Sequence, residues 1–351
     1  MQKRNSFLQQ IKVRFQRAKD FFSITTELIM TKELLKAVQL LQKGEVVAIP
    51  TETVYGLAAN AFDDKAVKQI FDIKNRPLFN PLIVHIKSIE YLKTVATNIP
   101  PIAFRLAEQF WPGPLTLVLE KKSNISNLVT AGNNTVGVRI PSHPVTLELL
   151  RSLDFPLAAP SANPFGYISP TTSDHVRKQL GDKIPFILEG GSCENGIEST
   201  IIGFEDGNPV LYRVGAISNE EIEKCIGKLI VKNTAFASPQ APGMLTKHYS
   251  PKTKFIVSED ISLTINEYRD ANVGFLLFSN NYDFLPLNKF FELSKNKDLG
   301  EAARNLYAAM HQLDEMNFEV IYAEKLPQKE LGITINDRLY RAQEEKFNFK
   351  T

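Results

Sequence analysis

The chain has 351 residues, 43% of them apolar and 23% charged, a balance that fits a soluble globular protein with room for two domains. Its 41 lysines and arginines stand against 39 acids, for a net charge of +2, which leaves no electrostatic footprint for tight, wide nucleic-acid binding. No apolar run approaches the ~20 residues needed to span a bilayer, and Cys193 and Cys225 show neither metal-ligand spacing nor a secretory context, so the chain reads as cytoplasmic, without disulfides or a membrane partner.

Residues 1–30 stand apart: Lys3, Arg4, Lys12, Arg14, Arg17 and Lys19 face only Asp20 and Glu27. This basic extension reads as a targeting peptide, a tRNA-contacting arm, a disordered segment, or sequence ahead of a start at Met30. A weak tRNA contact is the one nucleic-acid role it leaves open. Thr31 can cap a helix carrying Leu34, Leu35, Val38 and Leu41 on one face, ended by Gly44. Glu45–Ile49 then reads as a strand running into the turn Pro50-Thr51-Glu52-Thr53. Asp63 or Asp64 caps a second helix, and helices are expected over Ile102–Trp111, Val145–Leu153, Asp174–Leu180 and Glu220–Ile226, the last with Ser218 and Glu221 as a capping box. Strands are expected at Pro81–Ile86, Leu115–Leu119, Val136–Ile140, Pro156–Ala159, Phe186–Leu188, Ser199–Gly203 and Val210–Val214. Their number and uneven spacing predict a mixed, twisted α/β sheet. Residues 232–253 are proline-rich and without periodicity, and read as a linker. Beyond them Lys254–Val257, Val273–Phe278, Phe290–Leu293 and Phe318–Tyr322 read as buried strands, with helices over Glu301–Asp314 and Asp337–Gln343. That spacing predicts a small, mainly parallel open sheet.

Several familiar chemistries are missing. There is no P-loop, no dinucleotide fingerprint, no nucleophile elbow and no metal-spaced pair among the five histidines. What remains is six polar clusters, most of them at strand ends. Pro50-Thr-Glu-Thr-Val-Tyr-Gly-Leu57 puts hydroxyls after a buried strand, either to bind a small polar ligand or to cap a turn. Lys74-Asn-Arg76-Pro77 follows a helix; its two cations either offset the helix dipole or converge on one anion. Arg139, inside the apolar run Thr135-Val-Gly-Val-Arg-Ile-Pro141, needs a partner, either a protein carboxylate or a ligand's. Ser161 and Asn163 in Pro160-Ser-Ala-Asn-Pro164 face one way if that stretch is extended. Gly196-Ile-Glu-Ser-Thr200 and Leu211-Tyr-Arg213 are the last two clusters.

Taken in order, these clusters resemble the YrdC-like family of threonylcarbamoyl-AMP synthases in its long, two-domain form, from about residue 31 to the C-terminus. The resemblance rests on P-T-E-T-V-Y-G-L, K-x-R-P, N-P-L-I-V-H, W-P-G-P-L-T, V-R-I-P, P-S-A-N, E-S-T-I and Arg213-Val214-Gly215. The run Pro242-Gly-Met with His248-Tyr249, and the ending Asn336-Asp337-Arg338-Leu339, look like the longer form. It implies a catalytic domain over 31–231 with a concave pocket, a linker or lid over 232–253, and a Rossmann-like domain over 254–351. The implied reaction joins L-threonine, bicarbonate and ATP, with Mg2+, into threonylcarbamoyl-AMP and pyrophosphate. A separate transferase complex then modifies tRNA adenosine to its N6-threonylcarbamoyl form.

The resemblance also assigns residues. Lys74, Arg76, Ser161 and Asn163 form a catalytic tetrad around the phosphates and carbamoyl group, with Lys74 expected at the pocket mouth. Asn80, Thr135, Ser169, Arg213 and Tyr249 join Arg76 and Ser161 as ATP contacts. Arg139 clamps the threonine carboxylate, with Thr53, His85, Ala159 and Ser199 completing that pocket and His85 acting as a fixed hydrogen-bonder. No protein ligand to a metal is identified. An RNA-binding module and a carbamoyltransferase using another acceptor stand as the rival readings.

Overall fold

The computed structural model describes residues 32–231, 248–279, 282 and 284–343. The basic extension, the Thr31 cap, most of the linker and its Pro242-Gly-Met run lie outside the described residues.

Helix α1 (32–42) buries Leu34, Ala37 and Leu41. Gly44, at φ +78°, makes the left-handed turn that only glycine adopts without strain. Strand β1 (Val47–Ile49) follows and pairs antiparallel with β2 (Gly56–Asn60). The sequence gives little sign of β2, since Gly-Leu-Ala-Ala-Asn has no β-branched residue; its pairing with β1 on one side and β6 (Leu157–Ala158) on the other makes it a strand. Asp63 caps α2 (Asp64–Lys74) by accepting from the Lys65 and Ala66 amides, and Asn75 in the left-handed conformation stops it.

The rest of the larger domain runs β3 (Ile83–His85), α3 (Leu92–Val95), α4 (Pro101–Phe110), β4 (Leu115–Glu120), α5 (Asn127–Thr130), β5 (Thr135–Arg139), α6 (Pro144–Arg151), then β6, α7 (Ser173–Leu180), β7 (Thr200–Glu205), β8 (Asn208–Arg213), α8 (Asn219–Ile226) and β9 (Ile230–Val231). The nine strands form one mixed sheet in the order β1-β2-β6-β3-β5-β4-β7-β8-β9. The segment expected as a strand at Phe186–Leu188 makes only a single bridge, Ile187 to Ala48. Register aims the functional residues: β3 and β5 are parallel with His85 opposite Arg139, so the two side chains leave the same face side by side.

The smaller domain contains β10 (Lys254–Val257), α9 (Ile261–Tyr268), β11 (Val273–Leu277), β12 (Phe290–Glu292), α10 (Leu299–Glu315), β13 (Val320–Ala323) and α11 (Leu331–Ala342). Its four strands are all parallel, in the order β10-β13-β11-β12, as a Rossmann-like sheet requires. Helix α11 starts well before the expected Asp337. The tract Leu331-Gly-Ile-Thr-Ile335 has weak helix propensity, but burial of Ile335 and Leu339 against Leu306 and Met310 of α10 overrides it. That same apolar cluster takes in Val54, Ile168 and Ile197 of the larger domain together with Tyr249, Tyr307 and Leu339, so the smaller domain packs on the loops that end the larger sheet's strands. No helix among the described residues is long and apolar enough to cross a membrane.

Candidate active site

Those strand ends and loops enclose one polar hollow of about 50 Å³. Thr53 and Gly56 line it from the β1–β2 connection, Arg76 from beyond α2, His85 from β3 and Arg139 from β5. Ala159 and Ser161 enter after β6, Glu198 and Ser199 just before β7, Arg213 from β8, and His248 and Tyr249 from the end of the linker.

At one end sits Arg139, buried to 4% side-chain exposure. Its Nε donates to the Gly113 carbonyl at 3.2 Å and its Nη1 to Thr53 Oγ1 at 3.0 Å. Its protein partner is Glu52, 2.7 Å from Nη2 and equally buried. All three nitrogens of the fork are thus engaged, by Gly113, Thr53 and Glu52. Thr51 shapes the turn that presents Thr53, its hydroxyl donating to the Val54 carbonyl at 2.6 Å and accepting from the Thr53 and Val54 amides at 3.2 Å. Burial first, and the Arg139 charge second, push His85 down to about 3; it is neutral at physiological pH, with Nδ1 buried and without a hydrogen bond. Ser199 Oγ lies 2.8 Å from Thr116 Oγ1.

Arg76 and Arg213 line the hollow as well. Arg76 donates to the carbonyls of Asn80 and Pro81 at 3.1 and 2.8 Å, and burial lowers its pKa to about 9, with Arg213 also pushing it down. Arg213 donates to the Ser199 carbonyl at 2.8 Å. Such close seating depends on Gly215, where a Cβ would stand 2.2 Å from the Thr200 amide; this accounts for the glycine in Arg213-Val214-Gly215.

Lys74 is not at the pocket mouth. It is 1% exposed, and its Nζ donates to the Ser161 carbonyl at 2.6 Å and to the Asn163 carbonyl. The cause is local: α2 ends at Lys74 beside the Pro160–Pro164 loop, whose carbonyls take up the ammonium. Burial, then Arg76 beside it, lower its pKa well below the usual lysine value. Asn163 is also behind the hollow, its Nδ2 donating to the Pro164 and Tyr167 carbonyls at 2.8 and 2.9 Å. Asn80, Thr135 and Ser169 do not line the hollow either. Thr135 begins the strand that Arg139 ends, ~13 Å away at strand rise. Ser169 donates to Glu198 at 2.8 Å. Buried side-chain atoms of Asn80 and Thr135 have no hydrogen bond.

Sequence reasoning left a protein carboxylate open for Arg139 without naming Glu52, and missed Glu198 with its partners in the smaller domain. Glu198 is fully hydrogen-bonded: Tyr307 donates to its two oxygens at 3.0 and 2.9 Å and Arg338 Nε donates at 2.8 Å. Tyr249 lies buried between Tyr307, at 5.6 Å between ring centroids, and Arg338, whose guanidinium carbon is 5.2 Å from the ring centre. The available signal was an acidic residue in each of two strand-end motifs, Glu52 and Glu198, where an unpaired carboxylate would be costly.

The family described as telomere recombination matches residues 39–215. The domain described as the threonylcarbamoyl-AMP synthase C-terminal domain matches residues 217–343. The chain is 41% identical over 320 residues to the threonylcarbamoyl-AMP synthase of Pyrococcus abyssi, covering 87% of this chain and 92% of that one. It is 39% identical over 333 residues to the threonylcarbamoyl-AMP synthase of Bacillus subtilis, covering 92% and 96%. The crystal structure of P. abyssi Sua5 complexed with L-threonine superposes with a TM-score of 0.83 at 39% identity, covering 89% of this chain and 94% of that one.

Proposed function

The chain belongs to the threonylcarbamoyl-AMP synthase family in its two-domain form, and from that premise we propose how its hollow joins L-threonine, bicarbonate and ATP into threonylcarbamoyl-AMP and pyrophosphate. One observation carries the reading: Arg76, Arg139 and Arg213 meet hydroxyls and a neutral imidazole in a single sheltered cavity.

Threonine's carboxylate engages the Arg139 guanidinium from the hollow, sharing it with Thr53 and Glu52. Neutral His85 and Ser199 hydrogen-bond the rest of the amino acid, and Ala159 supplies an apolar wall. A site that pairs the threonine hydroxyl rejects an analogue lacking it far better than a methyl-sized pocket could. The amine and bicarbonate condense to a carbamate with loss of water. A carbamate oxygen then attacks the α-phosphorus of ATP, and the bond to the leaving pyrophosphate breaks. Arg76 and Arg213 hold the phosphates and offset the charge that moves onto pyrophosphate. Lys74 works from beneath, fixing the carbonyls of Ser161 and Asn163 so that the Ser161 side chain faces the reacting centre. Positioning and charge neutralisation suffice, and no protein nucleophile is needed.

The hollow is far smaller than the ~300–1,000 Å³ of ordinary ligand sites, and His248 and Tyr249, both buried, form part of its wall. Nucleotide entry therefore requires this pair to move aside. Its return shelters the carbamate and the mixed anhydride from water. Magnesium would arrive on the ATP phosphates. Glu198, the one carboxylate lining the hollow among the described residues, is taken up by Arg338, Tyr307 and Ser169. The product is an activated adenylate, so its consumer is a transferase acting on tRNA adenosine.

Purified chain supplied with ATP, bicarbonate and threonine is expected to release pyrophosphate only when all three are present. Release without threonine, or none at all, would overturn the reading. A carbamoyltransferase with another acceptor, or an RNA-binding module, gives no threonine-dependent release.

A further inference from the structure

Glu198 sits oddly in a hollow that receives anions. An unneutralised carboxylate there would repel ATP and draw Arg213 toward itself. The smaller domain supplies the remedy. Arg338 on α11, with its side chain 0% exposed, ion-pairs Glu198 at 2.8 Å, and Tyr307 on α10 donates to both carboxylate oxygens. Arg338 is itself anchored, by Asp337 and by the Val214 carbonyl at 2.8 Å. Its guanidinium faces the Tyr249 ring, a cation–π contact in a desolvated place. Arg213 meanwhile hydrogen-bonds the Ser199 carbonyl and hydroxyl.

We propose, resting on the assignment of the hollow to ATP, that Arg338 is a positioning residue for the nucleotide: it neutralises Glu198 from the smaller domain and holds Tyr249 in place over the site. The amino-acid end rests chiefly on Arg139, Thr53 and His85, none of which bonds Arg338, while Ser199, next to Glu198 and bonded by Arg213, is the contact the two ends share. The nucleotide site is therefore complete only while the smaller domain is docked, whereas the Arg139 clamp makes no bond to that domain. The acid strength of Glu198 agrees: burial would raise its pKa, but Arg338 first and Arg213 second outweigh that and hold it at about 2.

The rival is a plain structural staple between domains, whose loss would weaken both ligands alike. Separate titrations of ATP and of threonine into the full chain, as wild type, Arg338→Met, Glu198→Gln and the double variant, decide between them. Arg338→Met strands a buried carboxylate and is expected to raise the Kd for ATP about tenfold or more, ~1.4 kcal/mol, while threonine affinity stays within about twofold, as for uncoupled sites. The double variant removes the stranded charge and is expected to recover most of the ATP affinity. An unchanged ATP Kd in Arg338→Met, equal losses for both ligands, or a double variant as weak as the single one overturns the proposal. If Arg338→Met does not fold, Glu198→Gln decides alone: tighter ATP binding supports the proposal, and unchanged or weaker binding overturns it. Wild-type chain that binds no ATP sinks the functional reading and this proposal together; wild-type binding with no split between ligands sinks only the proposal.

Discussion

Replacing Arg139 by methionine preserves most of the side chain's volume and removes only its charged fork. Two consequences follow from the geometry. The first concerns stability. Glu52 has 3% side-chain exposure and Arg139 as its ionic partner at 2.7 Å. Stripping that partner leaves a buried carboxylate unpaired, a loss of ~3–5 kcal/mol. The second concerns binding. Hydrogen bonds to a charged group are worth ~1.5–3 kcal/mol, so threonine affinity should fall about tenfold to 150-fold, with ATP affinity much less affected. Urea unfolding reads the first effect and separate ligand titrations read the second. The variant Glu52→Gln/Arg139→Met separates them: it should recover most of the stability and none of the threonine affinity. If the double variant binds threonine like wild type, or if the single variant loses ATP affinity as much as threonine affinity, the placement of the amino-acid carboxylate is wrong.

Lys74→Ala should abolish nearly all turnover and also lower stability, because the Ser161 and Asn163 carbonyls lose their donor and each orphaned buried group costs ~1–3 kcal/mol; a variant of unchanged urea midpoint would contradict the buried placement. Acid sensitivity follows from His85, His248 and His311, each pushed down to about 3, first by burial. Below pH ~6.5 the unfolded chain takes up protons that the folded chain refuses, so stability falls with pH at up to ~1.4 kcal/mol per unit for each histidine. Glu198, held at about 2 when folded against 4.5 in the reference state, adds to the loss below pH 4.5. Urea midpoints measured from pH 7 to 5 should decline, and a flat series would rule out buried neutral imidazoles. Deleting residues 233–351 removes His248 and Tyr249 from the hollow and, behind it, the Tyr307 and Arg338 partners of Glu198. It should yield ATP breakdown without product or no reaction, and clean, full synthesis by the truncated chain would dispose of the lid.

Much of the architecture was legible where pattern and burial coincide. The strand ending at Arg139, the helix ending at Lys74 and the four parallel strands beyond residue 254 stand close to where periodicity put them. Where tertiary pairing overrode local preference, the sequence misled. Gly56–Asn60 is a strand through its two neighbours, Phe186–Leu188 lacks a second partner, and Leu331–Asn336 is helical because α10 covers it. At the site, clusters far apart in sequence do converge, since register aligns His85 with Arg139. What one-dimensional reading could not reach was pairing across the domain boundary. Glu198 and Arg338 were visible as charged residues in motifs, yet only the docking of α11 makes them a pair. The same blindness put Lys74 at the rim, because nothing in Lys-Asn-Arg-Pro announces the two carbonyls that enclose it.

The most direct test of the account is mass analysis of the nucleotide formed from ATP, threonine and 13C-bicarbonate by the full chain. The account predicts an adenylate carrying one threonine and one labelled carbon, formed in step with pyrophosphate and lost in Arg139→Met. Pyrophosphate or AMP accumulating at the same rate without threonine, or an adenylate lacking the label, would contradict it.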